Sequence, residues 1–136
     1  MKSDNGIFRG VELGMCLENI KQQETISASE EDTNYLYYEN ALDSSNSFTV
    51  AYDFDQKKLK EIQLEVFINN IDEFSNLVAT FKNYYENKYG KAENTNGFLI
   101  WTIKDINKGN VKITLADEST DFEYSKLSLS VYNAEY

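Results

Sequence analysis

Residues 48–68 read FTVAYDFDQKKLKEIQLEVFI, with apolar and polar side chains alternating on both sides of a polar DQKK break. Alternation with a period of two is typical of a β-strand that buries one face, and two such runs around a short break predict a hairpin. We therefore expect two antiparallel strands here. The apolar side chains that should face the core are Phe48, Val50, Tyr52, Phe54, Ile62, Leu64, Val66 and Ile68.

A helical pattern follows the hairpin. Between Phe74 and Tyr89 apolar residues recur at intervals of three and four, and Gly90 comes directly after the last of them. This spacing places the apolar side chains on one face of an α-helix, and glycine is favoured just beyond a helix end. With Asp72 as the N-cap, the pattern predicts a helix over 73–89. The side chains expected to pack on the sheet are Phe74, Leu77, Val78 and Phe81.

A shorter helix is predicted over about residues 17–25. Cys16 stands at the N-cap position, and Met15 and Ile20 have the spacing of a hydrophobic staple. Glu18 falls in the first turn, where the helix dipole favours an acidic side chain. Both halves of the chain therefore begin with a helix and continue with strands.

Positions of similar character recur at a nearly constant distance along the chain. The separation is 63 residues for two pairs and 65 residues for a third, although the halves share negligible sequence identity. Several matches in register are less readily explained by chance than one. The pairs are Leu36 with Leu99, Phe48 with Val111, and Phe67 with Tyr132.

This recurrence predicts an α+β fold in a single domain over residues 1–136. Each half, about 7–68 and 72–133, would form an α-β-β-β unit that covers little core alone. We therefore expect a tandem α-β-β-β pseudo-repeat, with two helices packed on one face of an antiparallel sheet of about six strands.

Composition and charge exclude several classes of function. The 136 residues include 23 acidic and 13 basic side chains, which give a formal net charge of −10. The sequence has no segregated basic patch, so we expect no nucleic acid or anionic lipid partner. Histidine is absent and there is one cysteine, which removes the usual general base, the common zinc ligand and any internal disulfide. We predict no enzyme activity, no catalytic residues, no metal and no cofactor.

Two further features allow chemistry in principle. Asp53 and Asp55 flank Phe54 at a strand end, as in a metal site or an acid–base pair, but the segment lacks the glycine and distal glutamate of a calcium loop. Cys16, at the start of a helix, is a candidate reactive thiol. Because no histidine is present to activate it, a small buried residue is the preferred interpretation.

The start and the second half of the chain carry a resemblance to known proteins. The segment FRGVELGM at residues 8–15, followed by Ile20, resembles the N-terminal signature of a large set of small uncharacterised bacterial proteins. The helix end at Tyr89-Gly90, then Trp101 and VKITL at residues 111–115, is similar to the second half of the same pattern.

The predicted architecture is similar to the beta-lactamase-inhibitor-protein-like fold, which includes an outer-membrane assembly lipoprotein. This resemblance implies a protein that binds other proteins without catalysis and, in many members, export as a lipoprotein. No functional residue carries over from it. Two positions depart from the pattern, since Cys16 replaces a serine or threonine cap and Ala92 replaces a proline.

The sheet face opposite the helices is the candidate binding surface, because its residues are mostly small and polar with scattered aromatic side chains. Tyr35 and Tyr37 point to one side of their strand, and Phe67 and Tyr132 occupy matched positions in the last strand of each half. We predict that these four aromatic residues contact a partner. The alternative is that they pack at the sheet edge and where the halves meet.

These features favour a non-catalytic protein-binding module with an unidentified protein partner. No run approaches the roughly 20 apolar residues of a membrane span, so we expect no direct membrane insertion. The resemblance favours a periplasmic or cell-envelope location, with an export signal ahead of residue 1, over a cytoplasmic one. The alternative function is a cytoplasmic acidic inhibitor or immunity-type regulator.

Overall fold

Two helices and eight strands lie in the part of the chain that the computed structural model describes, which is residues 11–24, 27–43, 46–105, 109–118 and 125–133. The strands form one antiparallel sheet in the order β1-β2-β3-β4-β8-β7-β6-β5. The predicted α+β class, with two helices against an antiparallel sheet, is confirmed. The elements are α1 (Leu17–Gln23), β1 (Glu30–Asp32), β2 (Tyr35–Ala41), β3 (Ser47–Asp55), β4 (Lys58–Ile68), α2 (Ile71–Tyr89), β5 (Glu93–Thr95), β6 (Phe98–Asp105), β7 (Gly109–Asp117) and β8 (Ser125–Asn133).

The prediction of about six strands was wrong, because each half has one further short strand at a sheet edge. Strands β1 and β5 have three residues each, all of them exposed. Neither segment shows the apolar alternation of a half-buried strand, and both are held by backbone pairing to β2 and β6. The positive φ angles of Asn96 and Gly97, 52° and 86°, fit the two-residue turn that closes the β5–β6 hairpin.

Helix α2 begins two residues earlier than predicted. Asn70, rather than Asp72, is the N-cap, and its Oδ1 accepts hydrogen bonds from the backbone N–H groups of Asp72 and Glu73 at 2.9 and 3.0 Å. The two acidic side chains then lie in the first turn, where the helix dipole favours them. Gly90 follows the last residue with a φ of 93°, a conformation that glycine adopts without strain.

The core lies between the helices and one face of the sheet. Of the eight hairpin residues predicted to face it, seven are buried and Phe48 is partly buried. Helix α1 adds Leu17 and Ile20, and its predicted end at residue 25 falls outside the described residues.

The face that α2 turns to the sheet is narrower than predicted. Phe74, Phe81 and Tyr85 are buried, at positions that project within about 20° of one line along a helix. Leu77 and Val78 project to either side of that line and are only partly buried. They therefore border the core instead of filling it.

The two halves meet where β4 pairs with β8. Leu64 lies directly opposite Leu129, and these residues are 65 positions apart. The same separation relates Phe67 to Tyr132 in the sequence. Phe67 faces Lys126 near one end of the β4–β8 ladder, and Tyr132 faces Glu61 at the other.

Candidate functional site

The sheet surface opposite the helices, here called the open face, consists of side chains in three rows across the strands. Cross-strand partners point to the same side of an antiparallel sheet, so the register defines these rows. Most of the open-face side chains are half-buried. The middle row crosses all eight strands and consists of Glu30, Tyr37, Ala51, Gln63, Ser130, Thr114, Ile100 and Glu93.

A second row, here called the acid–tyrosine row, contains three carboxylates and two tyrosines of the open face. It crosses the sheet from β1 to β6, and neighbouring strands in a sheet are about 4.8 Å apart. Acidic and aromatic side chains therefore lie next to each other along a nearly straight line. The members are Asp32, Tyr35, Asp53, Glu61, Tyr132, Lys112 and Thr102.

Carboxylates are concentrated in one half of the open face. From β8 to β5 the charged side chains of the described strands are Lys126, Lys112, Lys104 and Glu93, and Glu118, just after β7, lies 3.8 Å from Lys126 Nζ, so the two signs are nearly balanced there. From β1 to β4 carboxylates predominate, and this part is here called the acidic half. Its carboxylates are Glu30, Asp32, Glu39, Asp53, Glu61 and Glu65.

An open depression of about 470 Å³ lies on the acid–tyrosine row, lined by Asp53, Lys60, Glu61, Tyr132 and Asn133. A β-bulge builds part of its wall. Asp53 pairs with Glu61 while Phe54 pairs with Leu59, so Lys60 is the extra residue. A bulge re-aims side chains on its strand, which accounts for Lys60 and Glu61 lining the same depression although they are adjacent in sequence.

The two carboxylates of the depression face each other across β3 and β4. Partial burial, and then the neighbouring Asp53 carboxylate, raise the pKa of Glu61 above its ordinary value of 4.5, and the Lys60 ammonium partly opposes this. Among the described residues, no hydrogen bond or ion pair reaches the carboxylate of Asp53 or Glu61. The depression therefore holds two carboxylates and the ammonium group of Lys60, so its net charge is negative.

Tyr35 and Tyr37 form an aromatic surface beside this depression. Their rings are stacked, with centroids 6.3 Å apart and planes inclined by 7°. Burial, and then the carboxylate of Asp53, its cross-strand partner, raise the pKa of Tyr35. The pair flanks the depression on the β2 side, and Tyr132 flanks it on the β8 side.

The structure therefore brings three of the four predicted contact residues together. Tyr35 and Tyr132 belong to the acid–tyrosine row, and Tyr37 stacks on Tyr35. Phe67 lies six residues from Glu61 along β4, or about 20 Å from the depression at the usual rise of a strand. It is half-buried beside Lys126, whose Nζ lies 3.4 Å from Glu65 Oε1.

Sequence reasoning missed Glu61 and Lys60. The sequence groups Asp53 with Asp55, its near neighbour, as a possible carboxylate pair. Across the sheet, however, Asp53 faces Glu61 and Asp55 faces Lys58. Strand alternation alone places Glu61 on the open face. The register that sets it against Asp53 depends on the bulge, and no residue type in the segment marks the bulge.

The other candidates from the sequence lie elsewhere. Cys16 is half-buried, and Lys58 Nζ donates a hydrogen bond to its Sγ at 3.0 Å. In the described residues no three histidine, cysteine, aspartate or glutamate side chains are grouped so that they could hold a metal ion. Neither feature adds a reactive group to the open face.

Comparison with protein-family models, with curated proteins and with solved structures found no match. None of the helices in the described ranges has the length and apolar character needed to cross a membrane.

Proposed function

We propose that this protein is a non-catalytic binding module that docks a basic protein surface on its open face. The observation that carries the proposal is the acidic half with Tyr35 and Tyr37, together with Tyr132 at its border on β8. Carboxylates attract lysine and arginine, and tyrosine rings supply rigid contact area that is enriched in protein interfaces. A partner rich in lysine and arginine complements this surface in charge.

The arrangement of side chains supports a docking role over a purely structural one. Tyr35 and Tyr37 are half-buried, so part of each side chain remains exposed to solvent. In the middle row the small side chain of Ala51 lies beside Tyr37, and Ser130 Oγ donates a hydrogen bond to Gln63 Oε1 at 2.6 Å. A partner can therefore approach the sheet closely beside Tyr37, which favours a well-packed contact.

A competing surface lies at one end of the molecule. Leu42 and Ile71 are the exposed apolar side chains there, 52% and 66% accessible. Their turns are joined because Asn69 N–H donates to Asn46 Oδ1 and Leu42 N–H donates to the Asn46 carbonyl. Singly exposed apolar side chains are common on protein surfaces, so this end is the weaker candidate.

The resemblance to the beta-lactamase-inhibitor-protein-like fold supports binding without catalysis, and it favours the cell envelope. The second candidate is an acidic inhibitor or immunity-type regulator in the cytoplasm. The acidic half favours that role too, because an inhibitor of a basic protein needs complementary charge. Both roles use the same surface, so one experiment on that surface tests them together.

The test is a selection of random peptides from a display library on the purified chain, at about 0.15 M ionic strength. Recovered peptides are assayed on Tyr35→Ser/Tyr132→Ser, on the matched control Leu42→Ser/Ile71→Ser, and on Phe67→Ser. We expect peptides with net positive charge that bind the wild type and the control but lose affinity for the tyrosine variant.

Recovery of only neutral or acidic peptides would contradict the proposal. So would peptides that bind the tyrosine variant as tightly as the wild type. The Phe67→Ser variant tests how far the contact extends along β4, and retained binding is expected because Phe67 lies about 20 Å from the depression. Correct folding of each variant is checked through the fluorescence of the buried Trp101, the chain's single tryptophan.

A further inference from the structure

We infer that the depression lined by Asp53, Lys60, Glu61, Tyr132 and Asn133 receives an arginine side chain of the partner. The inference rests on the proposed function and makes it more specific, since it assigns one side chain to one place on the open face. Three features of the depression point to a guanidinium group: two opposed carboxylates that outnumber the single ammonium group of Lys60, the side chain of Tyr132 in its lining, and a volume of about 470 Å³.

The carboxylates have the spacing that a guanidinium group can bridge. Asp53 and Glu61 are direct cross-strand partners, and such partners have Cβ atoms about 4.5–5.5 Å apart. A guanidinium group is planar and presents five N–H donors in a fixed fork, so it can donate to two carboxylates at once. An ammonium group is a compact charge without that planar fork.

The flanking tyrosines add a second contribution. Tyr35 lies beside Asp53 on β2, and Tyr132 lies beside Glu61 on β8. A guanidinium group held by the carboxylates lies between these two phenol rings, where its flat face can stack on an aromatic surface. Lysine at this place would lose the stacking contact.

A metal ion does not explain the depression as well. Calcium takes six to eight oxygen ligands, whereas two carboxylates line the depression and the Lys60 ammonium is also at its wall. Folding does not explain the pair either, because like charges directly opposite on a sheet are destabilising. A bound cationic side chain accounts for both carboxylates.

The test uses the peptide acetyl-Gly-Arg-Gly-amide and its citrulline counterpart, which has nearly the same shape but no charge. Each is titrated into the ¹⁵N-labelled full chain at about 0.02 M ionic strength, where screening is weak. The variant is Asp53→Asn/Glu61→Gln. The matched control, Asp72→Asn/Glu73→Gln, removes the same charge from the first turn of α2.

We expect arginine-induced shifts at the amides of β3, β4 and β8 around Asp53, Glu61 and Tyr132. Affinity should fall about fivefold in the Asp53→Asn/Glu61→Gln variant and change less than about twofold in the α2 control. Shifts centred elsewhere, equal losses in both variants, or equal binding of the citrulline peptide would overturn the inference.

The same variants separate this inference from the proposed function. If peptides from the display selection need Tyr35 and Tyr132 but bind Asp53→Asn/Glu61→Gln normally, the arginine site is wrong and the binding surface stands. If the selection recovers no basic peptide that needs the tyrosines, the proposed function itself fails.

Discussion

At the scale of single residues, the opposed carboxylates of Asp53 and Glu61 are the feature that most needs an explanation. Each could be neutral or replaced by an amide without loss of a described hydrogen bond. Their position therefore points to a function beyond folding, in line with the observation that binding sites often sacrifice stability.

The first prediction concerns this pair. Glu61→Gln should raise the free energy of unfolding at about pH 7 by up to about 1 kcal/mol, because it removes like-charge repulsion across the strands. A carboxyl group with a raised pKa takes up protons on folding, so the wild type loses stability as pH rises through that pKa.

The gain in unfolding free energy from Glu61→Gln should therefore be absent well below pH 4.5 and complete near neutral pH. Urea denaturation at several pH values, followed by Trp101 fluorescence, measures it. Asp72→Asn, in the first turn of α2, is the control, and it should give no such gain. A loss of stability in Glu61→Gln at neutral pH would show that the carboxylate has a structural role.

At the scale of elements, the sequence predicts the long strands and α2 well, because their apolar periodicity repeats over many residues. It misses β1 and β5, since three exposed residues carry no apolar periodicity, and their strand conformation depends on backbone pairing to β2 and β6. It also misses the bulge at Lys60, which depends on how two strands pair and not on a residue type. Tyr35, Tyr37 and Tyr132 were accessible to sequence reasoning because alternation assigns a strand residue to a face.

The second prediction concerns the buried face of α2. Phe81→Ala should cost about 3–5 kcal/mol, the usual cost of emptying a buried aromatic position, since Phe81 is 6% exposed. Leu77→Ala should cost clearly less, because Leu77 only borders the core. Denaturant unfolding compares the two directly. Equal costs would mean that α2 is rotated about its axis relative to the arrangement described above.

At the scale of the whole molecule, the joint between the halves is the pair Leu64 and Leu129. The pair is central to the sheet, and both side chains are buried, 4% and 0% exposed. The sequence predicts two halves from positions that recur at 63 to 65 residues. It does not predict that Leu64 pairs with Leu129, because spacing along the chain does not say which strands of the two halves join.

The third prediction follows from this joint. Leu64→Ala and Leu129→Ala should each cost about 2–5 kcal/mol, and the double variant should cost less or more than the sum by at least about 0.5 kcal/mol. Residues in contact couple in this way, whereas distant residues are additive. Additive costs within error would contradict direct packing between the halves at this pair.

The central claim is that the carboxylates of the open face bind an arginine of the partner, and a double-mutant cycle tests it most directly. The affinities of wild type and Asp53→Asn/Glu61→Gln are measured by NMR titration for acetyl-Gly-Arg-Gly-amide and for its citrulline counterpart. We predict a coupling free energy of about 1 kcal/mol between the carboxylates and the guanidinium charge. A coupling of zero, with the variant losing as much affinity for citrulline as for arginine, would contradict the claim.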